Sequence, residues 1–219
     1  MTKEERVSLL IEKELEANSY KDYFEILNNR IEENRKLIKN LFFILVIIVL
    51  AFPLIIQSKI DDISIGPFNL NDSKVAIGLL PSLFAYTHYK YLSVWFDLVN
   101  QKFTYKVLTS KFFSIKVDST LNKTLIHYSF LDSISANHNT ENIGRNFLGC
   151  FNFLFWLPVG LAVIFFPFVF ECYTIKILYN ELGFNTFFNS LLIITPGLIG
   201  LFTVQMFIQV YIRETKKEK

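Results

Sequence analysis

At 219 residues, 52% of them hydrophobic and 16% aromatic, with a mean hydropathy of +0.34, the chain is too apolar for an ordinary soluble domain of its size. Its 22 basic and 20 acidic side chains leave a net charge of +2, which gives no sign of the one-sided Lys and Arg excess of a nucleic-acid binder. An all-α integral membrane protein is the expected class, with the lipid bilayer as its first partner and no direct nucleic-acid binding.

The first 40 residues are charged throughout and lack the apolar core and small-residue cleavage site of a signal peptide, so the first membrane helix is expected to act as its own insertion signal. Thr2 and Glu5 form a capping box that starts a helix through "KEERVSLLIEKELEA", with a break at Asn18 and Ser19. A second helix then carries Tyr20, Phe24, Leu27, Ile31, Asn34, Ile38 and Leu41 at alternating intervals of four and three, the seam of a short heptad pattern. Two readings stay open. Phe24, Leu27, Ile31, Asn34 and Ile38 are candidates for self-association as a helical bundle, or the same stripe packs on the chain's own segment 100–146. The second is favoured because about three heptads fall short of a coiled coil.

Four apolar runs follow, at 41–57, 75–99, 147–170 and 190–212. The cytoplasmic segment 1–40 leads straight into the first, and "LFFILVIIVLAFPLII" contains no polar residue. At ~1.5 Å per residue that run reaches only ~24 Å, so a thinned bilayer or a snorkelling Lys39 must help it. The loop 58–74 holds "DDISIGPFNLND", which alternates about Gly66-Pro67 as a small hairpin would.

The second span is unusually polar, carrying His88, Lys90 and Asp97. Ser82, Tyr86, Tyr89, Lys90, Ser93 and Asp97 share one helical face, and His88 lies off it among Phe84, Tyr91 and Trp95. His88 reads as a packing and hydrogen-bonding residue. Lys90 and Asp97 are two turns apart and placed to meet directly or through Ser93 or water, which would turn the face toward a helix bundle or an aqueous cavity. The other reading ends the span near Tyr89 and makes the Tyr and Trp residues an interfacial belt.

Beyond it, residues 100–146 read as a continuation of span two followed by a helix from about Ser119, with Leu121, Leu125, Tyr128 and Leu131 on one side. Its bases Lys102, Lys106, Lys111, Lys116, Lys123 and Arg145 fit ordinary positive-inside decoration better than a lipid or partner surface. Span three is rich in phenylalanine, and "ECYTIKILYNELG" in the loop 171–189 extends it as a helix stopped by Gly183. Span four carries Gln205, Gln209 and Arg213 every four residues, while Pro196, Gly197 and Gly200 permit a kink and close helix approach. A tail, 213–219, closes the chain.

Counting Lys and Arg puts both termini and the 100–146 loop in the cytoplasm: that side holds 18 bases, whereas the two opposite loops hold only Lys59, Lys74 and Lys176. Cys150 and Cys172 then fall near opposite surfaces, which excludes an intrachain disulfide. No metal-ligand cluster, phosphate-cradling glycine loop, H-E-x-x-H or G-x-S-x-G is present, so no cofactor, metal or enzymatic activity is expected.

In architecture the chain is similar to small four-pass membrane proteins of bacterial defence and abortive-infection systems, among them accessory proteins encoded beside RNA-targeting CRISPR nucleases. The resemblance carries no shared motif and implies no site residue. The expectation is an oligomeric, four-pass inner-membrane protein that forms or gates a pore, with Ser82, Tyr86, Lys90, Ser93, Asp97, Gln205, Gln209 and Arg213 as candidate pore-lining residues. The alternative is a non-conducting anchor or regulator that binds a soluble partner, such as a defence effector, through its cytoplasmic helices.

Overall fold

The computed structural model describes residues 3–14, 20–57, 63–65, 68–70, 73–117, 119 and 147–215. Within them the chain forms five α-helices and one short β-hairpin.

Helix α1 (Lys3–Glu14) carries Glu4 and Glu5 in its first turn and Lys13 in its last, charges that complement the helix dipole. Helix α2 (Tyr20–Ile56) is unbroken, so the heptad seam and the first apolar run are one helix, as the sequence expects. The expected break at Asn18 and Ser19, and Thr2 of the capping box, lie outside the described residues. Strands β1 (Ile63–Ile65) and β2 (Phe68–Leu70) pair antiparallel, with Ile65 opposite Phe68, which is the hairpin expected about Gly66-Pro67.

Helix α3 (Ser73–Phe112) continues well past the expected end of span two. It stops where Ser114 takes a φ of 52° and the Ser110 hydroxyl donates to the Ile115 carbonyl at 2.6 Å. The amphipathic helix expected through Leu121 and Leu131 lies outside the described residues.

Helix α4 (Phe147–Leu182) ends at Gly183, whose φ of 58° is open to a residue with no Cβ. Helix α5 (Phe187–Thr215) begins four residues after that glycine. Thr186 is its N-cap, with the hydroxyl accepting from the Asn189 backbone N–H at 3.2 Å, and the Asn189 side chain donates back to the Leu182 carbonyl at 3.0 Å. The end of one helix and the start of the next are thus closed by the same few residues.

The chain divides into two compact units. In the first (Met1–Arg35, Asp97–Phe166 and Lys217–Lys219), the α2 seam packs on the C-terminal part of α3. Phe24 lies tilted against Tyr105 at 4.6 Å, the Asn34 amide donates to Gln101 at 3.0 Å, and Leu27 and Ile31 are buried. Burial pushes the Tyr105 phenol above the usual tyrosine range. Lys111 donates to the Ser8 carbonyl at 2.8 Å and pairs with Glu12 at 2.6 Å, tying α1 to α3.

In the second unit (Lys36–Phe96 and Pro167–Lys216), the core is built by Phe52 and Ile55 of α2, Phe84 and Ala85 of α3, Leu178 of α4 and Leu192 of α5. Phe170 joins two of them, edge-on to Phe52 at 5.8 Å and tilted against Phe84 at 4.6 Å. At Gly78 a Cβ would stand 2.8 Å from Leu192 Cδ1, so α3 and α5 approach closely at that glycine.

Among the described residues, α2 and α5 are each long and apolar enough to cross a membrane. A core helix of a soluble protein passes the same test but is mostly buried. Here only 33% and 22% of the most apolar stretches are buried, and Ile47, Leu50, Leu201 and Phe202 are each at least 60% exposed. Apolar surface on that scale matches a lipid-facing helix better than a water-facing one.

Candidate functional site

The most unusual local chemistry is a buried ionisable pair in the second unit. His88 Nδ1 of α3 lies 3.0 Å from Glu171 Oε1 of α4, and the two side chains are 4% and 6% exposed. A proton on Nδ1 donates to the carboxylate. A protonated carboxyl would donate the other way to a bare Nδ1, so the contact survives with the proton on either partner.

Aromatic rings enclose the imidazole: Phe168 meets it edge-on at 5.3 Å, and Phe84 lies tilted at 6.1 Å. A run of rings leads away from it, from Phe168 to Phe207 at 6.3 Å, then to Phe96 at 5.4 Å and Trp95 at 5.9 Å. The Thr174 hydroxyl donates to the Glu171 carbonyl at 2.9 Å, so it does not serve the carboxylate. On the remaining side stands Gly200 of α5, where a Cβ would lie 2.8 Å from Glu171 Oε2. Three helices therefore meet at this one carboxylate.

The pair sits far from the helix ends. At ~1.5 Å per residue, His88 lies ~22 Å along α3 from Ser73, Glu171 ~16 Å along α4 from Leu182, and Gly200 ~20 Å along α5 from Phe187. Similar depths on three helices are what an up-and-down arrangement requires.

The sequence expects Glu171 to start a helical extension of span three; the structure keeps it in that helix and adds what the sequence did not show, its burial and its bond to His88. The available signal was the apolar run on both sides of it, "FFPFVFECYTIKIL", which never breaks for a turn. His88 has the packing and hydrogen-bonding setting expected of it.

The candidate polar face of α3 is not turned into the chain's own core. Tyr86 is 53% exposed, Lys90 and Asp97 are exposed, and Ser93 is half-buried. The expected Lys90–Asp97 contact is not among the ion pairs of the described residues. Ser82 Oγ is buried with no hydrogen-bond partner among the described residues. On α5, Gln205 and Gln209 are both exposed, and the side chain of Arg213 lies outside the described residues.

The candidates for self-association are already occupied within the chain. Leu27, Ile31 and Ile38 are buried, and Phe24 and Asn34 hold Tyr105 and Gln101. The intramolecular reading of the seam accounts for these contacts. Beside the seam, Tyr23 and Arg30 of α2 with Asp97, Asn100 and Thr104 of α3 line an open groove of about 340 Å³. Cys172 is an exposed free thiol.

Compared with known proteins, the chain matches no family model, no curated protein and no solved structure.

Proposed function

We propose that the chain is a four-pass inner-membrane protein with both termini in the cytoplasm, assembling as an oligomer that forms or gates a pore. The observation that carries this reading is the exposure of Tyr86 and Lys90 on α3 and of Gln205 and Gln209 on α5, helices whose other exposed side chains are largely apolar. In hydrocarbon such groups seek a protein neighbour or water, because an unpaired polar or charged side chain costs several kcal/mol there. The chain's own core does not supply that neighbour, and a ring of copies enclosing water would. A setting in bacterial antiviral defence rests on the architectural likeness alone.

The runner-up is a non-conducting anchor whose first unit receives a soluble partner. The groove beside the seam favours it, since it places Arg30, Asp97 and Tyr23 around one opening.

Native mass measurement in detergent tests the first reading, followed by ion flux from liposomes. A closed ring whose flux changes on Lys90→Leu or Gln205→Leu supports the pore. A strict monomer in detergent and bilayer alike overturns it.

A further inference from the structure

We propose that His88 and Glu171 form a proton-binding site whose occupancy sets how α3 is seated in the bundle, and that release of that proton is the trigger of the pore. The inference rests on the pore reading for the trigger alone. The proton site stands on the pair itself.

The argument starts from charge. A neutral imidazole beside an ionised carboxylate carries one net negative charge, and one added proton makes the pair neutral overall, whether it rests on the ring or on the carboxyl. Among the described residues nothing else near the pair is shown to balance the negative form. Among the described residues the neighbouring helices offer Thr87 and Tyr91 on α3, Thr174 on α4 and Thr203 on α5, all buried and uncharged, and α2 offers Phe52 and Ile55. Lys90, the nearest cation along α3, is exposed. Gly200 presents only backbone to Oε2. An apolar cluster holds the proton-loaded pair at far lower cost than a lone anion, which gives up its hydration with nothing in return.

Loss of the proton therefore leaves a carboxylate that needs water, and water enters only if α3 and α4 part. The consequence falls on the polar face. Tyr86 and Lys90 lie two residues either side of His88, roughly 160–200° around the helix from it. The bond that pins the His88 side inward thereby holds Tyr86 and Lys90 outward, and releasing it lets α3 turn or shift with those side chains.

The test uses the full chain with His127→Gln and His138→Gln, which leaves His88 as the single histidine. Nitrogen-15 NMR of that imidazole follows its protonation as pH is varied. The same preparation in liposomes gives flux. The expected result is a pH-dependent His88 signal that changes in Glu171→Gln, with flux rising about tenfold or more as the proton leaves and losing that dependence in the variant. Should Glu171→Gln fail to fold, His88→Asn keeps a donor near the Nδ1 position and serves for flux. A His88 signal indifferent to pH, or a titration identical in Glu171→Gln, overturns the proton site. A titrating His88 with no flux at any pH upholds the site and removes the pore reading. Flux with the same pH dependence in wild type and variant removes the proton as trigger.

Discussion

Glu171 Oε2 lies 2.8 Å from where a Cβ on Gly200 would stand, so α5 passes the buried carboxylate only because residue 200 has no side chain. Gly200→Ala should push Glu171 away from His88 and destabilise the fold by about 1–3 kcal/mol, the usual range for overfilling a packed site. Gly197→Ala is the matched control, since its Cβ would meet only Ile175 Cδ1 at an ordinary 3.9 Å. That variant should be neutral or slightly stabilising, as helical Gly→Ala changes often are. Thermal melts in one detergent decide the matter, and equal melting temperatures for the two variants would contradict the close approach.

Leu27 and Ile31 belong to the chain's own core. Leu27→Ala should cost about 2–5 kcal/mol, the range for truncating a buried leucine. The mass of the folded fraction in detergent should stay that of the parent. A drop in copy number with unchanged melting would mean that the seam serves a neighbouring molecule instead.

Tyr105 gives the first unit an alkaline limit. Its phenol is held above the ordinary value of ~10 by burial, so its contribution is complete below pH ~10 and is lost as pH climbs through the raised value. Circular dichroism between pH 9 and about 12 should show helix loss that Tyr105→Phe postpones. The ring contact with Phe24 survives that substitution, since it involves no hydroxyl. Identical alkaline profiles for parent and variant would refute the role.

Lys111→Ala should free α1 with little change in global stability, because its partner Glu12 is largely exposed and such pairs are worth under about 1 kcal/mol. The expected readout is faster proteolysis within Lys3–Glu14, with the melting temperature of the remainder unmoved. Glu12→Ala should give a milder effect, since the bond from Lys111 to the Ser8 carbonyl would remain.

Much of the helical plan was legible because local rules governed it. Alternating spacings of four and three from Phe24 to Ile38 need a partner stripe, and the polar-apolar alternation about Gly66-Pro67 needs a turn. Gly183 stops a helix for a reason that one residue contains. Glu171 was illegible for the opposite reason. An acid after a long apolar run resembles the end of a span, and only the packing of α3, α4 and α5 reveals that a histidine 83 positions earlier in sequence receives it. The exposure of Lys90 was hidden in the same way: helical angle put it on a face with Tyr86, but which way that face turns depends on what His88 grips.

The closed turn between α4 and α5 bears on how the protein is made. With Gly183 ending one helix, Thr186 opening the next and Asn189 answering the Leu182 carbonyl, the backbone at this corner has few groups left that ask for water. Under the proposed four-pass topology, two apolar helices joined by such a corner are suited to inserting together as one hairpin, with Gly200 of α5 already beside Glu171 of α4.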